Sequence, residues 1–97
     1  MEDEEEPQPL RSFIGKLLNE YRLQASYNEA RVRDAWEKVM GSYVLKRTTN
    51  LFLKEGVLFI ELDSASLRNE VLMARSELQN ELNQRIGAEI VKEIRVI

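Results

Sequence analysis

Apolar residues recur along this chain at two spacings, and the switches between them mark out its elements. Leu10, Phe13, Ile14, Leu17, Leu18 and Tyr21 fall at i, i+3, i+4, i+7, i+8 and i+11, which is one face of an amphipathic helix. Val32, Ala35, Trp36 and Val39 repeat that spacing for a second helix. Ser26-Tyr27-Asn28-Glu29 reads as a capping box at its start, and Gly41 as the residue that ends it. Trp36, the largest apolar side chain of the chain, sits mid-stripe and reads as a core anchor. Tyr43, Val44 and Leu45 add one further turn.

From Thr48 to Leu62 the period drops to two. A two-residue loop at Glu55-Gly56 pairs Lys54 with Val57. That register sets Leu53 opposite Leu58, Leu51 opposite Ile60 and Thr49 opposite Leu62 on one face, and Phe52 opposite Phe59 and Asn50 opposite Glu61 on the other. Helical spacing returns at Leu67, Val71, Ala74, Leu78, Leu82 and Ile86, with Ser64 or Ser66 as the cap and Gly87 as the stop. A helix from Ser66 to Ile86 would run about 31 Å. Six-residue strands run only about 20 Å, so this helix either overhangs the sheet or breaks near Ala74–Ser76. Ile90–Ile97 reads as a last strand, parallel to Val57–Leu62, with Ile94 and Val96 facing inward.

The predicted fold class is α+β, in the order ααββαβ, a three-stranded sheet covered by helices on one face. The stripe of Leu10–Leu23 either packs on the domain or binds a partner. A domain this small needs the buried area, which favours packing.

Composition narrows the chemistry. The 97 residues contain no cysteine and no histidine. That excludes disulfides, thiolate chemistry and Ser–His or Cys–His nucleophiles, and removes the commonest metal ligand. No glycine loop for phosphate and no metal-ligand spacing occurs, so no cofactor, metal or small-molecule substrate is expected. The chain reads as a binding module and not an enzyme. No apolar run approaches the roughly 20 residues of a membrane span. The acidic start is unlike a signal peptide, and the expected compartment is cytoplasmic, with no membrane partner.

The net charge of −3 hides an asymmetry. Glu2, Asp3, Glu4, Glu5 and Glu6 are five of the seventeen acids. The rest of the chain carries fourteen basic and twelve acidic groups, a net of +2. Residues 1–9 are expected to form a disordered acidic arm, and residues 10–97 one domain.

Two surfaces are candidates for binding. Arg31, Arg33, Lys38, Lys46, Arg47 and Lys54 stand against only Asp34 and Glu37 between positions 31 and 54, a local net of +4. Arg31, Arg33, Lys46, Arg47 and Lys54 are the candidate contacts to a nucleic-acid backbone. Phe52 and Phe59, with Arg95 beside them, form a candidate partner surface on the sheet face away from the helices.

The order of these positions carries a resemblance. Trp36-x4-Gly41 is followed by Thr48-Thr49, Leu53-x2-Gly56-x-Leu58-x-Ile60 and Ser64-x-Ser66-Leu67-x3-Val71. Leu82-x3-Ile86-Gly87 and Ile94-x-Val96 close the series. Over residues 31–97 this resembles the DciA-like family, small bacterial domains linked to loading or operating the replicative DNA helicase. The resemblance implies a KH-like fold, although no GxxG nucleotide clamp occurs in the sequence. It implies a non-enzymatic DNA-replication protein whose partners are the replicative helicase and single- or double-stranded DNA. Some relatives carry a flexible extension after the domain; where that extension contacts the helicase, Leu10–Leu23 would take its part here. The alternatives are a KH-like module that binds RNA or the ribosome, and a protein-interaction adaptor.

Overall fold

A computed structural model describes residues 8–97. The element order is α1 (Gln8–Met40), α2 (Ser42–Arg47), β1 (Thr48–Lys54), β2 (Val57–Leu62), α3 (Ala65–Met73), α4 (Arg75–Ile86) and β3 (Glu93–Val96). This is the predicted α+β class, two helices, a hairpin, a broken helix and a closing strand.

The first difference from expectation is α1. The two predicted helices are one helix of 33 residues, about 50 Å long. No turn interrupts it at Ser26, where the capping box was expected. Glu29 is the reason: its Oε2 accepts a hydrogen bond from the Leu53 amide at 3.0 Å, across to β1, and not from the start of a new helix. The helix also begins at Gln8, two residues inside the range read as an acidic arm. Pro9 lies in its first turn, where a missing amide hydrogen costs nothing. The expectation of disorder for residues 1–7 lies outside the described residues.

The second difference is where α1 packs. Val32, Ala35 and Trp36 are buried against the sheet, but Leu10, Phe13, Ile14, Leu17, Leu18 and Tyr21 are all exposed. The N-terminal half of α1 stands clear of the body. The radius of gyration is accordingly 17.6 Å, with extents of 56 × 28 × 21 Å, against roughly 13 Å for a compact domain of this size.

The hairpin has the predicted register from Lys54↔Val57 to Asn50↔Glu61. Glu55 and Gly56 both have positive φ, 51° and 85°, the requirement of a two-residue loop that follows the strand twist. Beyond Asn50 the register shifts, and it is Thr48 that faces Leu62 in place of Thr49. The cause is an anchor on Thr48. Its hydroxyl donates to the Val44 carbonyl at 2.7 Å and accepts from the Trp36 indole at 3.1 Å. With Thr48 fixed, Thr49 becomes the extra residue of a bulge.

β2 is the central strand. β3 lies parallel to it, Leu58 facing Ile94 and Phe59 facing Arg95. The long helical segment after the hairpin breaks at Ala74, whose amide is shared between the carbonyls of Glu70 and Val71. Ser64 is the cap of α3, accepting from the Leu67 amide. The break resolves the mismatch between a helix of about 31 Å and a sheet of about 20 Å. α3 stays over β2 and β3, while α4 turns to pack against the C-terminal half of α1. Trp36, Leu58, Ile60, Leu82, Val32, Val71 and Val91 are the fully buried side chains of the core. Each such aliphatic contributes on the order of 1.5–3 kcal/mol by leaving water.

Candidate nucleic acid and partner surfaces

The five candidate cations do not form one patch. Arg31 and Arg33 leave the middle of α1, but their guanidinium groups are committed to the protein's own carbonyls. Arg31 Nη2 donates to the Ile86 carbonyl at 2.8 Å, at the C-terminus of α4. There the last carbonyls have no helical partner, and a cation also meets the negative end of the helix dipole. The same guanidinium lies over the Tyr27 ring, 5.1 Å from its centre. Arg33 Nη2 donates to the Leu51 carbonyl at 2.9 Å and lies 3.8 Å from the Glu29 carboxylate.

Lys46 and Arg47 end α2 and are exposed. Arg47 Nη1 pairs with Asp63 Oδ2 at 3.4 Å. The Tyr43 hydroxyl first, and then Asp63, raise the Arg47 pKa above its ordinary value. Lys54 is exposed at the opposite end of β1. Six residue steps along the strand separate it from Thr48, about 20 Å. Lys46 and Lys54 take part in no ion pair among the described residues. Lys46 and Arg47, the latter paired with Asp63, thus stand at the start of β1, and Lys54 at its end.

The open face of the sheet carries Phe52, Phe59 and Arg95 in one row across the three strands, as their pairing dictates. The two rings stack with centres 4.8 Å apart and planes 14° from parallel. Arg95 lies 6.0 Å from the centre of Phe59 and bonds Glu93 Oε2 at 2.9 Å. Phe59 is therefore covered on one side by Phe52 and approached on the other by Arg95. The outer side of Phe52 looks toward the β1 edge.

A third surface, the exposed stripe of α1, is apolar. Where this stripe meets the body there is a groove of about 340 Å³. Tyr21, Gln24, Ala25 and Asn28 form its helical wall, with Leu53, Gly56 and Ile90 across from them.

Two structural residues escaped the sequence reading. Asn83 is buried in α4. Its Nδ2 donates to the Val91 carbonyl at 2.8 Å, and its Oδ1 accepts from the Val91 amide at 2.9 Å. It pins the chain entering β3. Its one signal in the sequence is position, directly after Leu82 of the apolar stripe, and Gln79, Asn80 and Gln84 on the same helix mask it. Glu29 is the other, and its signal pointed elsewhere, to a helix cap.

Among the described residues no helix is long and apolar enough to cross a membrane, and no group of acidic side chains is placed to hold a metal ion. Residues 9–96 match the model of a protein family described as Dna[CI] antecedent, DciA. No curated protein matches the chain.

Proposed function

This chain belongs to the DciA family, and from that premise we propose that it is a non-enzymatic accessory protein of DNA replication that binds both DNA and the replicative helicase. Family membership supports a helicase-loader-like role in replication. The observation that carries the reading is the extent of the match. It takes in the projecting half of α1 as well as the body, where the resemblance legible in the sequence began at residue 31.

The DNA backbone lies along β1, held by Lys46, Arg47 and Lys54. Arg31 and Arg33 add positive potential from behind while their guanidinium groups hold α4 and the strand edge in place. The helicase engages an apolar surface, of which the α1 stripe is the most extensive. The Phe52–Phe59 stack with Arg95 is a smaller second surface, available to a base or to a protein side chain. The order of elements also supports a KH-like description of the body.

The test pairs two measurements on the full chain. Replacing Lys46, Arg47 and Lys54 together by Glu should abolish binding to single-stranded DNA and leave the thermal unfolding of the body in place. Unchanged DNA binding by this variant would remove the DNA half of the reading. Pull-down from native lysate, with and without nuclease, tests the other half: recovery of a hexameric helicase supports it, and recovery of ribosomes points to the RNA-binding alternative.

A further inference from the structure

Apolar side chains line one face of α1 above and below the polar pair Gln24 and Asn28. Its lower part, Val32, Ala35 and Trp36, is buried by the sheet. Its upper part, Leu10, Ile14, Leu17 and Tyr21, follows steps of four, three and four, the spacing of a coiled-coil seam. Phe13 and Leu18 flank it. These six side chains are between 41% and 65% exposed.

An aromatic side chain covers about 150–250 Å² and an aliphatic one somewhat less, so six half-exposed side chains present on the order of 500–600 Å². That is the upper end of what one monomer leaves in water. It is also about half of the roughly 1,000 Å² that a specific interface must bury. Two such stripes facing each other reach that threshold, before any polar neighbour is counted.

We infer that in the free protein the upper seam of α1 is covered by the same seam of a second copy, in an antiparallel helix pair. The chain supplies the matching surface itself, and a two-fold axis makes the contact self-complementary. The orientation follows from where the body sits. The body lies on the seam side of α1 from Val32 onward. A parallel partner would bring a second body to the same end of the pair, where the first already covers the seam. Antiparallel pairing places the bodies at opposite ends. It centres the contact between Ile14 and Leu17, sets Leu10 opposite the partner's Tyr21, and ends the pair beside the groove at Gln24 and Ala25. The second copy and the helicase then compete for one surface, so self-pairing holds the stripe in reserve until the helicase displaces it. This step rests on the proposed helicase contact; the pair itself does not.

Sedimentation equilibrium of the full chain tests the pair. About twofold the monomer mass is expected, with a concentration-dependent transition in the micromolar range. Leu17→Glu should return the monomer, while the unfolding of the body, followed by Trp36 fluorescence, stays unchanged because Leu17 touches no core residue. The chain has no cysteine of its own, so oxidising a mixture of Ile14→Cys and Leu17→Cys chains should cross-link unlike chains in preference to like ones. A monomer mass from micromolar to millimolar concentration overturns the inference, as does a dimer that survives Leu17→Glu or cross-links like chains. A wild-type monomer that still captures the helicase discards the pair and leaves the proposed function standing.

Discussion

Glu29 and Arg33, one turn apart on α1, together close the free edge of β1. Glu29 Oε2 accepts from the Leu53 amide at 3.0 Å, and Arg33 Nη2 donates to the Leu51 carbonyl at 2.9 Å. Leu51 and Leu53 direct these groups away from β2, where no strand meets them. An open edge of this kind is a template for unwanted pairing. Two side chains of opposite charge, 3.8 Å apart, satisfy it without another strand. Glu29→Ala should cost about 1–2 kcal/mol, since a charge-assisted bond to a half-buried amide is lost. Arg33→Ala should cost about as much. Because the pair shares one edge, the double variant should lose less than the sum, with a coupling of about 0.5–1 kcal/mol. Urea unfolding of the four chains measures it. Additive losses would mean the two side chains act independently.

Asn83 should prove the most sensitive polar position of the body. It is 4% exposed and makes both hydrogen bonds of the Val91 backbone. Asn83→Ala leaves a buried amide and a buried carbonyl without partners, a cost of about 2–4 kcal/mol. Asn83→Asp at neutral pH should cost at least as much, because it turns a carboxylate oxygen toward the Val91 carbonyl. Thermal unfolding is the readout. A loss under 1 kcal/mol for Asn83→Ala would show that the entry to β3 is held by Val91 packing alone.

The hairpin loop offers a pair of opposite effects. At Gly56, with φ of 85°, an added Cβ would come within 2.8 Å of Lys92 Cγ. The Gly56 carbonyl also accepts from the Lys92 amide at 2.7 Å, so the turn cannot shift freely away. Gly56→Ala should destabilise by about 1–2 kcal/mol. Glu55 adopts φ of 51° without being glycine or asparagine. Glu55→Asn should therefore stabilise by a few tenths to about 1 kcal/mol, since Asn-Gly is the preferred pair for this loop. Denaturant midpoints of both variants, at constant slope, decide the matter.

Much of the body was legible because its signals are local. The alternation from Leu51 to Ile60 sorts the two faces of the hairpin, and the mismatch of helix and strand lengths narrows the long helix to an overhang or a break near Ala74–Ser76, of which the structure has the break. What sequence did not show depended on distant partners. Ser26-Tyr27-Asn28-Glu29 fits a helix start and a helix interior equally; the β1 edge, reached only in three dimensions, decides between them. The Thr48 anchor displaced the register by one residue through Trp36 and Val44, neither of which belongs to the strand. Charge counting placed Arg31 and Arg33 among the candidate DNA contacts, and a count could not show that each guanidinium also hydrogen-bonds a backbone carbonyl of the protein.

That distinction yields the last prediction. Lys46 and Lys54 are exposed, whereas Arg31 and Arg33 already hydrogen-bond the protein. If β1 carries the DNA backbone, Lys46→Gln and Lys54→Gln should each weaken single-stranded DNA binding and lower the salt dependence of log K by about 0.7, the value for one phosphate contact on a single strand. The losses should add, because about 20 Å of strand separates the two sites. Arg33→Gln should behave differently: the unfolding midpoint falls, while the salt slope stays where it was, since the Leu51 carbonyl and not a phosphate is its partner. Fluorescence anisotropy across a salt series, run beside urea unfolding on the same chains, separates the two behaviours. A fall in salt slope for Arg33→Gln equal to that for Lys46→Gln would return Arg33 to the nucleic-acid surface and show that DNA draws it off the strand edge.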